Sequence, residues 1–331
     1  MKVVGDGRQV DQLPSSLSAG MTLRATSLAY APMSSPRVVC VGLATADTIV
    51  SLPSWPQPDG RLIAERIVRS AGGPAATAAV TLARLGHEVA MVGAVGDDEA
   101  GERVRNGLAD EGVGVEHLAT LRGPTSESVI LLDRSAGTRT ILHAPGVSPG
   151  TPMADVMANA TWIHADHAGY ALVGNQEPAR LSVDGGHHVD GLGLGGLGLY
   201  APSSVALLER YPGRRLLDAV HTALDEGALR VVVTLGADGA LAADASGAWR
   251  IPGISVEVAS TLGAGDVFHG ALLASLLDGL ALQEAARRAN VAAALSCGAL
   301  DGRGAIPTRS ALDAATRDAP AVEPVMLGGA T

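Results

Sequence analysis

The amino-acid sequence predicts an α/β fold, built on a doubly wound and mostly parallel sheet with helices on both faces. Short continuous apolar runs, typical of strands buried on both faces, alternate with longer stretches of helical pattern. This alternation favours a parallel sheet whose strands are connected by helices. The chain has 331 residues, of which 47% are hydrophobic, so a sizeable core can be buried.

The expected elements follow one another in a regular order. Strands are expected at residues 38–43, 89–95, 161–163, 181–183 and 231–235. Helices are expected at residues 75–85, 101–111, 267–280 and 282–295. Because the chain has only one Phe, three Trp and four Tyr, the core between these elements must consist mainly of Ala, Val and Leu.

Two stretches depart from this order. Residues 48–67 and 126–143 are richer in alternating and β-branched residues than the rest of the chain. Residues 133–138 have the composition of a hairpin turn between two apolar runs. We expect a small antiparallel β lid, formed from about 46–68 and 124–144, over the C-terminal edge of the large sheet. Ligands bind at that edge in folds of this class.

The chain is expected to contain one large domain. Residues 1–36 lack sustained periodicity, and Met33 precedes the first convincing strand, so they are interpreted as a disordered or non-native extension. Residues 37–315 are expected to form the domain and residues 316–331 a C-terminal tail. Residues 184–199 are dense in glycine and show no fixed repeat, which predicts a flexible loop.

Composition excludes several classes of partner. The formal net charge of −10 argues against nucleic acid, which needs a basic surface. No apolar run is long enough to span a membrane, and a cytoplasmic protein is expected. Cys40 and Cys297 lie far apart without metal-ligand spacing and are interpreted as inert thiols. No metal site is predicted from the histidines, because no carboxylate or Cys stands in matching register.

The most informative stretch is residues 261–266, Thr-Leu-Gly-Ala-Gly-Asp. A glycine-rich turn that opens a helix leaves backbone N–H groups unpaired, with the positive end of the helix dipole behind them. Gly263, Ala264 and Gly265 would therefore hold an anion, and Asp266 could accept a proton from a hydroxyl. This combination suggests phosphoryl transfer to an alcohol. Alone, the same four residues would more often be a tight turn before a helix.

Three segments in order carry a resemblance to a known family. Residues 71–80 read AGGPAATAAV, residues 92–98 read VGAVGDD, and residues 234–239 read TLGADG before the turn at 261–266. With these motifs, residues 37–312 resemble the ribokinase-like, PfkB-type carbohydrate kinases. The resemblance implies a ribokinase-like fold, ATP and Mg²⁺ as cofactors, and a small-molecule sugar as substrate.

The resemblance also implies roles for individual residues. Asp266 would be the catalytic base, with Gly263, Ala264 and Gly265 as the anion hole. The residues that would bind the sugar are Asp47, Gly72, Gly73 and Thr77. The residues that would bind ATP are Thr234, Gly236, Gly239 and Asn290. Mg²⁺ would bridge the ATP phosphates, largely through water. A homodimer through the lid is also implied.

The chain departs from the family pattern at two places. Ser260 stands where an Asp usually helps hold a monovalent cation, so potassium activation is doubtful. Ala201 and Ser204 stand where an Asn and a Glu commonly help order Mg²⁺ and phosphates. These departures imply altered metal handling, although the base and the anion hole are intact.

Within the family, the motifs look most like those of sulfofructose kinases. At the positions that grip the sulfonate there, this chain has Arg61, His143 and His167. None of the three is the residue that sulfofructose kinases have there, and their specificity is therefore not carried over. All three could still donate hydrogen bonds to an anionic group.

Three other functions compete with a sugar kinase. A nucleoside kinase of the same fold would need aromatic residues to stack the base, and the lid region offers only Trp55. A non-catalytic sugar- or nucleotide-binding regulator is favoured by Ser204 and Ser260 but not by the intact Asp266. A nicotinamide-dependent dehydrogenase is weakly supported, because no G-x-G-x-x-G turn follows the first strand.

Overall fold

A computed structural model of the chain describes residues 37–149 and 154–325. The interpretation of residues 1–36 as an extension lies outside the described residues. The strands are β1 Val38–Val41, β2 Thr45–Leu52, β3 Arg66–Gly72, β4 Val89–Gly96, β5 Leu118–Leu121, β6 Glu127–Asp133, β7 Thr138–Ala144, β8 Trp162–Ala165, β9 Leu181–Gly185, β10 Leu199–Pro202, β11 Arg230–Thr234, β12 Gly239–Asp244, β13 Gly247–Pro252 and β14 Glu323–Val325. The α-helices are α1 Pro74–Arg84, α2 Glu99–Asp110, α3 Ala154–Ala158, α4 Tyr170–Val173, α5 Ser204–Arg210, α6 Leu216–Asp225, α7 Ala264–Leu277, α8 Leu282–Ser296 and α9 Arg309–Arg317.

The large sheet has ten strands in the order β14-β13-β12-β11-β10-β9-β8-β1-β4-β5. From β11 to β5 all neighbouring strands pair in parallel, and β12, β13 and β14 extend that edge in antiparallel fashion. The expected mostly parallel sheet is therefore confirmed. The carboxyl ends of the parallel strands meet at one edge, where the loops after β1, β8, β9, β10 and β11 lie.

The core lies on both faces of this sheet, as the doubly wound architecture requires. Alternate residues of β1 point to opposite faces, so Val38 and Cys40 belong to the core that contains residues of α1, α7 and α8, whereas Val39 and Val41 belong to the core that contains residues of α6. Both cysteines are buried and free, and burial raises the pKa of each thiol. Within the described residues, no helix combines the length and apolarity needed to cross a membrane.

The small sheet has the order β3-β2-β6-β7 and contains both segments expected to form the lid. The hairpin between β6 and β7 is confirmed, and its turn is closed by the Asp133 carboxylate, which accepts hydrogen bonds from Ser135 N and Ala136 N. The two outer pairings are antiparallel, but the central pair β2–β6 is parallel. The outer pairs join adjacent segments of the chain, whereas β2 and β6 come from distant ones.

Several details of this architecture differ from expectation. Residue 315, proposed as the domain end, lies inside α9, and the proposed tail contributes β14, which pairs with β13. Helix α7 begins at Ala264, three residues before the expected start, so the glycine-rich turn is part of its N-terminus. Residues 186–198 contain no helix or strand, as expected of a loop, but Leu192, Leu194 and Leu197 are buried in the core.

Candidate active site

A cavity of about 550 Å³ lies between the carboxyl edge of the large sheet and the inner face of the lid. Loops after the parallel strands contribute one wall, β2, β6 and β7 contribute another, and the start of α7 forms the end between them. The predicted site residues that line it are Asp47, Gly72, Gly73, Thr77, His143, Thr234, Gly263, Gly265 and Asp266. The tertiary fold thus brings together residues that are up to 219 positions apart in the chain.

The N-terminus of α7 has the geometry of an anion-binding turn. Gly263 adopts a left-handed conformation with φ of 73°, and a Cβ there would lie 2.9 Å from the Cα of Gly302. Among the described residues, the N–H groups of Gly263, Gly265 and Asp266 have no backbone acceptor. The N–H of Ala264 differs, because it points at the Thr261 carbonyl at 3.4 Å, and Ala264 does not line the cavity. Of the three residues expected to form the anion hole, only Gly263 and Gly265 therefore line the cavity with an N–H group that has no backbone acceptor.

Asp266 lies in the first turn of α7, half-buried at the bottom of the cavity. Burial and then the neighbouring charge of Asp184 raise the pKa of Asp266 to about 7, while His269 and Arg303 lower it in part. A carboxyl group with a pKa near neutrality is suited to accept a proton, because a substantial fraction is ionised at neutral pH and that carboxylate is more basic than an ordinary one.

The residues expected to bind the sugar lie where the backbone before α1 comes close to neighbouring segments of the chain. Asp47, expected just after a strand, instead lies within β2, where its carboxylate accepts a hydrogen bond from the Thr45 hydroxyl at 2.8 Å. A Cβ at Gly72 would lie 1.9 Å from Oδ2 of Asp47, and one at Gly73 would lie 2.3 Å from the Leu43 carbonyl. Gly72 is therefore required for the Asp47 carboxylate to lie against the backbone before α1, and Gly73 for the close approach of that backbone to the Leu43 carbonyl. Burial raises the pKa of Asp47, which Arg303 opposes.

We expect Gly72→Ala to raise KM for the acceptor strongly, because the new methyl group must displace the Asp47 carboxylate. Steady-state kinetics and a thermal melt would measure the effects on substrate binding and on stability. Gly107→Ala is the matched control, since Gly107 lies inside α2 and a Cβ there has no atom within 4 Å. An unchanged KM in Gly72→Ala would contradict the inferred position of Asp47.

Arg303 is a site residue for which the sequence analysis assigned no role. Its buried guanidinium donates to the Gly72 carbonyl at 2.9 Å and to the Thr77 hydroxyl at 3.4 Å. Burial lowers the pKa of Arg303 to about 10, and Asp47 and Glu111 oppose the shift, so the side chain stays charged at neutral pH. The flanking Gly302 and Gly304 were the available signal, since glycines on both sides of an Arg suggest a close backbone approach.

The lid contributes donors from β7. His143 faces the Ser128 hydroxyl at 3.2 Å, and Arg139 donates to the Thr261 hydroxyl at 2.5 Å, which links the lid to the turn before α7. Arg61 is exposed in the loop between β2 and β3 and does not line the cavity, so the structure does not bring it to the expected substrate site.

The expected nucleotide residues divide into two groups. Thr234, at the end of β11, lines the cavity, whereas Gly236, Gly239 and Asn290 do not. Gly239 pairs with Pro252 across β12 and β13, and the Asn290 side chain donates to the Pro252 carbonyl at 2.9 Å. The Asn290 amide therefore makes a structural bond, because α8 packs its buried face against the end of β13.

Three buried polar residues near the cavity were not assigned roles from the sequence. Asp166, at the end of β8, accepts from the N–H groups of Leu43, Ala75, Ala168 and Gly169 at 2.8–3.2 Å. Asp184 and His269 line the cavity and lie 3.3 Å apart, Oδ2 to Nδ1. Asp184 ends a predicted strand, which was a signal for a site residue, but its pairing with His269 on α7 depends on the tertiary fold.

The two serine departures have structural roles. The Ser260 hydroxyl is buried and accepts from Leu262 N at 3.1 Å, which shapes the turn before Gly263. Ser204 is the first residue of α5 and does not line the cavity; instead its neighbour Ser203 caps the helix by accepting from Ala206 N and reaches the cavity.

Comparison with known proteins agrees with this architecture. The family model described as pfkB family carbohydrate kinase matches residues 35–164 and 212–309. Ribokinase of Haemophilus influenzae is 26% identical, covering 81% of this chain and 94% of the relative, and 1-phosphofructokinase of Rhodobacter capsulatus is 30% identical, covering 80% and 90%.

The structure of ribokinase from Arabidopsis thaliana complexed with ribose and ATP shares the fold, with a TM-score of 0.71 at 21% identity. The match covers 86% of this chain and 99% of the ribokinase. The chain therefore belongs to the pfkB family of carbohydrate kinases and is an ATP-dependent kinase that transfers phosphate to a sugar hydroxyl.

Proposed function

We propose that this kinase phosphorylates a furanose or keto sugar, with Asp266 as general base and the turn at Gly263–Gly265 as anion hole. The observation that carries the proposal is the position of Asp266. It lies where the unpaired N–H groups at the start of α7 meet a cavity whose other wall presents Asp47, Gly72 and Thr77. An acceptor hydroxyl held by that wall would lie against the base, with the phosphoryl group against the amides.

The chemistry follows from this arrangement. Asp47 would accept hydrogen bonds from sugar hydroxyls and hold one hydroxyl towards Asp266, which would take its proton as the oxygen attacks the γ-phosphorus. The bond between the γ-phosphorus and the bridging oxygen would break in the same step, so that ADP leaves with that oxygen. The amides of Gly263 and Gly265 would stabilise the charge that grows on the phosphoryl oxygens. Because these N–H groups lack acceptors in the described chain, the turn fits a nucleotide phosphate without rearrangement.

We propose that Mg²⁺ arrives with ATP and is held by phosphate oxygens and water, a mode of binding that this ion favours. When bound, it would neutralise phosphate charge. Thr234 and Ser203 would line the phosphate end of the site. The adenine would lie beyond them, towards the surface where Gly236 and Gly239 meet the Pro252–Asn290 contact. Ser260 carries no charge and its hydroxyl accepts from Leu262 N, which weakens the case for a monovalent cation in this mechanism.

The base should give the reaction a characteristic pH dependence. Because burial raises the pKa of Asp266 to about 7, the carboxyl group is protonated and inactive below that pH and ionised above it. We expect kcat/KM for the sugar to rise with pH through an acidic limb near pH 7, at about tenfold per unit well below it. Initial rates from pH 5 to 9 with a pH-independent coupled assay would measure the limb. A flat profile across pH 6–8 would contradict the assignment.

Several side chains around the cavity favour a substrate with an anionic group. Arg139 and His143 from the lid and His167 and His187 from the sheet edge all line the cavity and can donate hydrogen bonds. Among the described residues that line the cavity there is no Phe, Trp or Tyr, and Trp55 lies outside it, which disfavours a nucleoside as acceptor. The relative 1-phosphofructokinase carries a phosphorylated sugar in its name, which is consistent with an anionic acceptor.

The function is tested by ADP release across a panel of acceptors: fructose, ribose, fructose 6-phosphate, sulfofructose, 2-keto-3-deoxygluconate and adenosine. Sugar-dependent turnover, equal in KCl and NaCl, is the expected result, with the highest kcat/KM for an anionic sugar. A preference for adenosine would favour the nucleoside kinase. ATP binding without turnover on any acceptor would favour a non-catalytic regulator.

We also propose that the lid forms a homodimer. The strand faces that point away from the cavity carry Ile67, Val129 and Leu142, whose exposed fractions are 62%, 38% and 54%. A second copy would cover this apolar surface. We expect a dimer in light scattering, converted to monomer by Ile67→Asp. The control is Val205→Asp on α5, an equally exposed apolar residue far from the lid in sequence, which should leave the dimer intact.

A further inference from the structure

Asp184 and His269 form a buried ion pair beside the candidate base. Their side chains are 8% and 6% exposed, and His269 Nδ1 lies 3.3 Å from Asp184 Oδ2. The second carboxylate oxygen of Asp184 accepts from Gly186 N at 2.8 Å, which fixes the carboxylate at the end of β9. His269 is three residues after Asp266 on α7, so the two side chains are neighbours on one face of the helix.

The surroundings of His269 favour its charged form. Burial opposes ionisation, but Asp184, Asp266 and the Ala201 carbonyl outweigh it and raise the pKa of His269. Nδ1 of His269 lies 3.3 Å from Oδ2 of Asp184, so the two side chains form a close pair of opposite charges when His269 is protonated. A buried Asp184 carboxylate needs such a partner, since an uncompensated buried charge is costly.

His164 provides a comparison within the same buried layer. Its ring centroid lies 5.6 Å from that of His269, and its Nδ1 faces the Ser182 hydroxyl at 3.1 Å. No carboxylate pairs with it among the described residues, and burial, with the charge of His269, lowers the pKa of His164 to about 3. Of the two adjacent imidazoles, only the one that pairs with Asp184 therefore has surroundings that favour its charged form.

We propose that His269, held in its charged form by Asp184, is a positioning residue that keeps Asp266 ionised and therefore able to accept the proton of the sugar hydroxyl. This inference rests on the proposed role of Asp266. Without His269, the unpaired carboxylate of Asp184 would lie beside Asp266 in a poorly solvated site, and two such carboxylates resist simultaneous ionisation. Without Asp184, the repulsion between the two carboxylates disappears. The charge that favours protonation of His269 is then also absent.

Other charged groups set the background for this effect. Asp266 is influenced by Asp184, His269, Asp166 and Arg303. The cavity wall around it also carries Asp47, Arg139, His143, His167 and His187. Because these groups stay in place in the variants below, a change in the pH profile reports on the pair itself.

The test compares pH profiles of kcat/KM in four proteins: wild type, His269→Gln, Asp184→Asn and the double variant. We expect His269→Gln to move the acidic limb upward by about one pH unit or more. The double variant should return the limb to the wild-type position or below it, because the second substitution removes the unpaired charge. His164→Gln is the matched control, a like substitution of the neutral neighbour, and should leave the limb in place.

A merely structural role of the pair predicts a different outcome. In that case all substitutions would lower activity at every pH, with the limb unmoved and no recovery in the double variant. In an active enzyme, an unmoved limb or a double variant without recovery would overturn the inference. The proposed kinase function would remain intact.

A readout without catalysis separates the two proposals. Imidazole ¹⁵N NMR, with the His269 signal assigned by its loss in His269→Gln, should show a protonated ring at pH 7 in the wild type and a neutral ring in Asp184→Asn. A neutral His269 in the wild type overturns the inference whatever the activity. A charged His269 in a protein that phosphorylates no acceptor would contradict the proposed function, and the role of the pair with it.

Discussion

The Asp266→Asn variant is expected to lose about 10²–10⁴-fold in kcat, with a smaller change in KM for the sugar, because an amide cannot accept the hydroxyl proton. The variant should fold normally. The pKa of Asp266 is raised by burial, so the folded state binds a proton more tightly than the unfolded chain does. Ionisation of Asp266 therefore destabilises the fold increasingly as pH rises through the folded pKa, and this cost is absent in the amide.

Kinetics and thermal melts at pH 8 would measure both effects together. We expect the variant to be at least as stable as the wild type while nearly inactive, which is the signature of a residue kept for function. Asp225→Asn, at an exposed position on α6, is the control and should retain full activity and stability. A variant that keeps activity within tenfold of the wild type would remove Asp266 from the mechanism.

The second large effect is expected on stability, from Asp166→Asn. The Asp166 carboxylate is fully buried and accepts from Leu43 N and Ala75 N with one oxygen and from Ala168 N and Gly169 N with the other. An amide would place an NH₂ group against two of these donors and leave both unpaired. Each unpaired buried donor costs about 1–3 kcal/mol, so the free energy of unfolding should fall by about 2–6 kcal/mol for the two donors.

Urea denaturation would measure this loss, and the m-value would show whether the folded state keeps its compactness. Activity should fall as well, since Asp166 connects the turn after β1 with the start of α1, which carries Thr77. Asp190→Asn serves as a control, because the Asp190 side chain is 99% exposed in the loop after β9. A loss below about 1 kcal/mol in Asp166→Asn would mean that the four donors find other acceptors.

Much of the site followed from the sequence because its signals are local. The turn at 261–266 needs glycine for its backbone conformation, and the glycines at 72 and 73 permit a close approach, so residue type alone indicated both segments. The lid hairpin was equally local, since its turn residues separate two apolar runs. By contrast, the parallel pairing of β2 and β6 joins segments distant in sequence, which periodicity within either segment does not specify.

The residues whose positions the sequence did not predict depend on contacts made by the tertiary fold. Asn290 lies on the predicted helix, but packing of α8 against β13 directs its amide to the Pro252 carbonyl. Arg61 lies in the lid segment, but the loop between β2 and β3 leaves it exposed. Arg303 has an informative local sequence, yet its contacts with Gly72 and Thr77 are made across 231 and 226 positions of the chain.

The sequence by itself indicated the fold class, the order of most elements, the proposed anion-binding turn and the proposed base at its end, because period, turn chemistry and helix termini are local properties. Only the tertiary structure decided which charges are neighbours. Asp184 on β9 meets His269 on α7, and Asp166 on β8 meets the start of α1, through the convergence of parallel strand ends and the packing of helices over them. Burial in that arrangement, which composition does not reveal, raises the pKa of Asp266 and makes it suited to its proposed role.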